Sequence, residues 1–207
     1  MTNKEKITFL EKCNYVFNLK RMSHVETPNS LYPQNSVQGL YKMVKKYFNE
    51  DFVVAEVGSF EGASTLLFAL FAKQVHSIDP YLTGSAEEQA SGIFDDFNLK
   101  AEQTFVDRCK SYSYNNIIKI RKTSMEACPD FATGSLDCVY IDGEHNYEHI
   151  NNDITNWYPK LKKGGILSGH DYDPHHSATI HSVLTRLNLF NDTFTTYPDT
   201  SWSVIIQ

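Results

Sequence analysis

Two short segments concentrate the groups able to move protons or hold a cation. Asp142-Gly-Glu-His145 sets two carboxylates and an imidazole within one turn, and His170-Asp171 with nearby Asp173 adds another imidazole and two more carboxylates. Carboxylate oxygens suit hard divalent cations such as Mg²⁺, which keep waters that a substrate's hydroxyls can replace. Imidazole suits Mn²⁺, Fe²⁺ or Zn²⁺ better. Asp142, His170 and Asp171 are therefore the candidate metal set, with Mg or Mn as the expected cation. Glu144 and His145 are both candidates for a general base; His145 has the unperturbed pKa closest to neutrality. The plainer alternative is that His145 and His170 only hydrogen-bond loops at a sheet edge, with no metal.

A second constellation lies earlier. In Glu56-Val-Gly-Ser-Phe-Glu-Gly62, Gly58 permits a tight turn and Gly62 lets backbone approach a ligand at a helix N-terminus. A dinucleotide site calls for Gly-x-Gly-x-x-Gly, and the middle glycine is absent. Glu56 and Glu61 flank the turn, where carboxylates repel a pyrophosphate and suit an ammonium group. Asp79 follows Gly58 by 21 residues, about the interval at which an acidic residue meets a ribose. It is also the first residue of an Asp-Pro turn. Thr123-Ser124-Met125-Glu126 offers a small polar group and a flat apolar side chain beside it, and doubles as a helix start.

These groups need a scaffold that brings them to one edge. From Asp51 onward, short β-rich runs ending at Gly or acidic residues alternate with helix-length segments, the mark of βαβ units. Strands are expected at 52–57, 75–78, 117–120, 136–141 and 166–168, the last after a stop signal at Lys162-Lys163-Gly164-Gly165. Helices are expected at 63–73, near 98–110 and at 178–190, with a closing hairpin from 194–196 and 202–206. Tyr147, Ile150, Ile154 and Trp157 recur at helical spacing, and Lys160, Lys162 and Lys163 suit that helix's end. Before Asp51, Ile7, Leu10, Cys13 and Phe17 mark a helix over 4–22, and Asn35-Ser36 is placed to cap a second one. Residues 81–92 form a polar insertion suited to a binding loop. In such sheets ligands sit at the carboxyl ends of the strands, where both constellations fall.

The chain of 207 residues, 41% hydrophobic and 21% charged, has the composition of one globular domain. It divides into an N-terminal helical segment, 1–49, and an α/β core, 50–207. A net charge of −6 leaves no broad basic surface for a phosphate backbone, so no nucleic-acid partner is expected. Neither a signal core nor a run of roughly 18 apolar residues is present, so a cytoplasmic location and no membrane partner are expected. Cys13, Cys109, Cys128 and Cys138 are scattered, without a Cys-x-x-Cys pair, and read as reduced packing residues.

Glu56-Val-Gly-Ser-Phe-Glu-Gly62, Ser77-Ile-Asp-Pro-Tyr81, Tyr140-Ile-Asp-Gly-Glu-His145 and Gly164-Gly-Ile-Leu-Ser-Gly-His-Asp-Tyr172 together resemble the class I S-adenosylmethionine-dependent methyltransferases, in particular the metal-dependent small-molecule and sugar O-methyltransferases. The resemblance runs from about residue 36 to the C-terminus. It implies a doubly wound, Rossmann-like seven-stranded sheet with one antiparallel strand. It further implies S-adenosyl-L-methionine bound by the Glu56–Gly62 turn, Ser59 and Gly62 included. Glu56 and Gly58 would face the methionine end, Asp79 the ribose, Ser124 and Met125 the adenine, and Asp142 the methyl group. Glu144 stands where the sugar enzymes carry an acidic base. Those enzymes usually have two adjacent acids where this chain has His170-Asp171.

The expected reaction is methyl transfer to a hydroxyl of a sugar, on a deoxysugar or glycan, with a divalent cation assisting. A catechol-like or other small phenol is the alternative acceptor, and a non-catalytic nucleotide-binding module is the alternative from another class. The N-terminal helices are candidates for a lid or a homodimer contact.

Overall fold

The structure, a computed structural model, describes residues 3–23, 36–82, 95–111 and 113–207. Seven strands form one sheet: β1 Val53–Val57, β2 Gln74–Ile78, β3 Ile117–Ile120, β4 Leu136–Ile141, β5 Leu161–Gly169, β6 Thr195–Thr196 and β7 Trp202–Ile205. Their order is β3-β2-β1-β4-β5-β7-β6. The pairs from β3 through β5 are parallel, and β7 runs antiparallel to both β5 and β6. The sheet therefore has the expected single reversed strand. Chain order changes direction between β1 and β4, the crevice in which doubly wound sheets hold ligands.

The helices are α1 Asn3–Phe17, α2 Gln38–Tyr47, α3 Ala63–Phe71, α4 Asp95–Ser111, α5 Ser124–Ala127, α6 Tyr147–Trp157 and α7 Ser177–Arg186. They cover both faces of the sheet because successive strand residues point to opposite sides. Ala55, Val57, Val139, Ile141 and Leu167 bury against Ile154, Trp157, Ile180 and Val183 of α6 and α7. Val54, Cys138, Tyr140 and Ile166 bury against Leu40, Met43, Leu66 and Phe68 of α2 and α3. This alternation decides where the functional side chains go. Glu56 shares the parity of Val54 and so lies under α3.

Several expected bounds shift. The strand expected at 166–168 begins at Leu161, so Lys162-Lys163-Gly164-Gly165 is inside β5 and not a stop. Its register against β4 slips between the Leu136–Leu161 and Cys138–Ile166 pairs, and Gly164, at φ 80°, takes the left-handed turn that absorbs the extra residues. Lys162 and Lys163 accordingly do not end a helix; Lys162 Nζ meets Asp137 at 2.7 Å. α1 stops at Phe17, α4 starts at Asp95 and α7 stops at Arg186. Ser36 takes the Gln38 N–H at 3.1 Å, while the N-cap position itself is Val37, which offers no side-chain cap. Tyr147 is exposed, unlike Ile150, Ile154 and Trp157, which pack as expected. The polar insertion lies outside the described residues from Thr83. Among the described residues no helix is long and apolar enough to cross a membrane.

Candidate active site

The turns after β4 and β5 bring the expected metal set together. Asp142, His170 and Asp171 each present a ligand atom, and these atoms lie within 4.8 Å of one another. His170 Nδ1 is 3.0 Å from Asp171 Oδ1 and 3.7 Å from Asp142 Oδ1. The other ring nitrogen, Nε2, lies 3.4 Å from the Thr200 hydroxyl, and the His170 carbonyl accepts from Trp202 Nε1 at 3.1 Å. The ring is thus held from behind with Nδ1 toward the carboxylates, the arrangement that orients a metal-bound imidazole. Trp202 does this from within the core and not as an open pocket wall.

Asp171 Oδ2 is buried and forms an ion pair with His145 Nε2 at 2.7 Å, with no further hydrogen-bond partner among the described residues. Two carboxylates and an imidazole whose ligand atoms lie within 4.8 Å of one another form a donor set that a divalent cation could share, so the residues fit the group the resemblance implies. Burial alone would raise the Asp171 carboxyl, but His145 and His170 hold it well below the ordinary range. Asp142 and Asp171 together push the His145 imidazole up to about 10, making it an imidazolium at neutral pH. Glu144 is exposed and is not among the residues gathered at this cluster. His145 is exposed as well, but its Nε2 lies 4.0 Å from Asp142 Oδ1 and 2.7 Å from Asp171 Oδ2. His176 adjoins His145, with ring centroids 5.5 Å apart, and pairs with Asp173 at 3.0 Å.

One group here has no counterpart in the sequence-based expectations. Arg21, in the segment after α1, places Nη1 3.0 Å from Asp142 Oδ2 and Nη2 3.3 Å from Asp199 Oδ2. Nη2 also donates to the Tyr140 hydroxyl at 3.0 Å. A lone arginine beyond a helix gives no motif to read, and its contact with Asp142 spans 121 positions.

Five of the residues expected on the cofactor side are engaged by the protein itself. Glu56 is fully buried, and its two oxygens accept from the Ser64 and Thr65 hydroxyls of α3. Burial pushes its carboxyl up to about 8 against those hydrogen bonds, so it presents no open charge to a methionine end. Glu61 pairs with Arg108 at 2.9 Å, which removes the second carboxylate proposed to attract an ammonium. Ser59 is buried and accepts from the Ser77 hydroxyl at 2.7 Å. A side chain on Gly62 would meet the Phe105 ring at 2.5 Å, so that glycine makes room for α4. Ser124 gives its hydroxyl to Asp153 and accepts from Trp157 Nε1 at 2.8 Å, facing α6 instead of an adenine.

Other cofactor positions stay open to ligand. Asp79, half-buried, accepts from Phe60 N–H and Tyr81 N–H at 2.8 Å each, one on each oxygen. It thereby makes the plain turn and still keeps acceptor sites on both oxygens, which fits a ribose diol. Met125 leaves 40% of its surface exposed beyond β3, which fits an adenine face. Gly58, at φ 85°, has Asp142 O only 2.1 Å from where a side chain would begin; its role is to let the β1 and β4 turns touch. Phe60, Tyr81, Asp171 and Thr200 all hold left-handed backbone. Such strain gathers at functional sites, and here it gathers around the carboxyl ends of β1, β2 and β5.

A sheet ordered 3-2-1-4-5-7-6 with its acidic residues at these strand ends defines the class I methyltransferase fold. Residues 55–172, more than half of the chain, match the family model described as a methyltransferase domain, and the chain belongs to the class I S-adenosylmethionine-dependent methyltransferase family. It is 28% identical over 135 residues to the uncharacterized protein R132 of Acanthamoeba polyphaga mimivirus, covering 64% of this chain and 57% of R132. The chain thus matches under two thirds of that relative's length. Among solved structures, the precorrin-8w decarboxylase of Methanobacterium thermoautotrophicum aligns with TM-score 0.62 at 14% identity, covering 91% of this chain and 96% of the other. A putative methyltransferase of Streptococcus mutans, solved with SAH, aligns with TM-score 0.58 at 12% identity over 87% and 98% of the two chains. At such identities these likenesses show the fold alone.

Proposed function

We propose that the chain is an S-adenosylmethionine-dependent O-methyltransferase acting on a hydroxyl of a sugar, on a deoxysugar or glycan, with a divalent cation, Mg or Mn, held by Asp142, His170 and Asp171. The observation that supports this reading most is the convergence of the Asp142, His170 and Asp171 ligand atoms within 4.8 Å of one another. In this reading Asp79 binds the ribose hydroxyls and Met125 packs against the adenine. Asp142 would lie beside the methyl group, with Oδ2 held by Arg21 and Oδ1 toward His170. A bound cation would lower the pKa of a chelated hydroxyl and take up the carboxylate charge that otherwise holds the His145 proton. His145 Nε2 then receives the acceptor's proton while the fold keeps acceptor and methyl donor aligned.

A catechol-like acceptor is the second reading. Tyr172 directly follows Asp171 and packs on Phe194 with ring centroids 5.1 Å apart, which sets aromatic surface beside the metal ligands. Methyl transfer from S-adenosylmethionine to a panel of sugars and catechols, with EDTA and then added Mn²⁺, separates the two. Transfer to a sugar that EDTA stops and Mn²⁺ restores is the expected result. Transfer to catechols alone overturns the sugar reading, and EDTA-insensitive transfer overturns the cation.

A further inference from the structure

Arg21 does more than neutralise charge. Its segment is tied down on both sides: Arg108 Nη2 donates to Lys20 O at 3.3 Å, and the Ser23 N–H and hydroxyl donate to Glu61 at 3.0 and 2.8 Å. Between these anchors the Arg21 side chain, 9% exposed, forks across Asp142, Tyr140 and Asp199. The far end of the fork is itself fixed, since Asp199 Oδ2 also accepts from Leu40 N–H at 2.8 Å and from the Ser201 hydroxyl at 3.1 Å. Tyr140 Oη lies 3.0 Å from that same Ser201 hydroxyl. Asp142 therefore has one oxygen, Oδ2, held by a rigid planar donor. Its other oxygen, Oδ1, is left toward His170 Nδ1 at 3.7 Å and His145 Nε2 at 4.0 Å.

We propose that Arg21 is a positioning residue: its fork on Asp142 and Asp199 sets the carboxylate so that Oδ1 faces His170 and Asp171, the disposition a divalent cation needs. The inference rests on reading that cluster as a cation site. A mere counter-charge would have the opposite effect, because a guanidinium near Asp142 repels a cation and its removal would tighten binding. Lysine keeps the charge but cannot span two carboxylates with a planar fork. Geometry and charge therefore give different signs.

The test is calorimetric titration of Mn²⁺ into the wild type, Arg21→Lys and Arg21→Met, without methyl donor, with thermal unfolding recorded in parallel. Removing a group that orients a metal ligand typically weakens affinity by about 10–100-fold, and that loss is expected in both variants. Arg21→Lys retains a cation opposite the part-buried Asp142 and the buried Asp199, so it keeps its fold even where Arg21→Met does not. Mn²⁺ affinity in Arg21→Lys equal to or tighter than wild type overturns the proposal, whatever happens to the melting temperature. A wild type that binds no Mn²⁺ overturns the cation reading itself and Arg21's role with it, a result distinct from the first.

Discussion

Replacing Asp171 with asparagine is expected to cut turnover by about 100-fold or more while the protein stays folded. The Asp171 backbone sits at φ 58°, a conformation asparagine tolerates well and alanine poorly, so the substitution tests chemistry and not backbone strain. It removes a carboxylate charge next to His145 and His170 (2.7 and 3.0 Å). A positioned cation contributes several kcal/mol of charge stabilisation in a transfer reaction, and about 2.7 kcal/mol is already 100-fold. The same variant should lose Mn²⁺ affinity and keep SAH affinity within a few-fold, since the proposed function puts Asp171 on the acceptor side of the crevice. Undiminished turnover in Asp171→Asn would sink the cation-assisted mechanism; steady-state kinetics with matched circular dichroism decides it.

Asp79→Ala is expected to weaken SAH binding by about 100-fold. Hydrogen bonds to a charged group contribute about 1.5–3 kcal/mol each, and a ribose diol would lose up to two of them. The variant should also melt earlier, because the carboxylate takes the Phe60 and Tyr81 N–H groups at 2.8 Å. Asp79→Asn keeps one acceptor oxygen for the turn and is expected to fall between wild type and alanine in affinity with a smaller loss of stability. Calorimetry on both variants separates the roles. Wild-type SAH affinity in Asp79→Ala would mean that the ribose is held elsewhere.

The sheet was the most legible part of the sequence, and the reasons are local. β3 and β4 match their expected bounds because their apolar, β-branched runs stop at Arg121 and Asp142. β5 was misread because Lys162-Lys163-Gly164-Gly165 carries every mark of a terminator, and only pairing with β4 across a bulge makes it strand. The Asp142, His170 and Asp171 cluster was legible because its members stand within two residues of the ends of β4 and β5. Glu56 was placed on the wrong side of the turn, although alternation with Val54 and the hydroxyls of Ser64 and Thr65 on α3 carried the signal. Arg21 and Asp199 were out of reach: an isolated arginine and an aspartate in a hairpin turn look like surface residues until the fold joins them across 178 positions.

The most direct measurement is calorimetric titration of the full chain with SAH, using NAD as the control ligand. Micromolar SAH binding with none for NAD is the expected result and fits a crevice that lacks the middle glycine but keeps Asp79. Binding of NAD in place of SAH would contradict the methyl-transfer reading and reopen what the β1 turn holds.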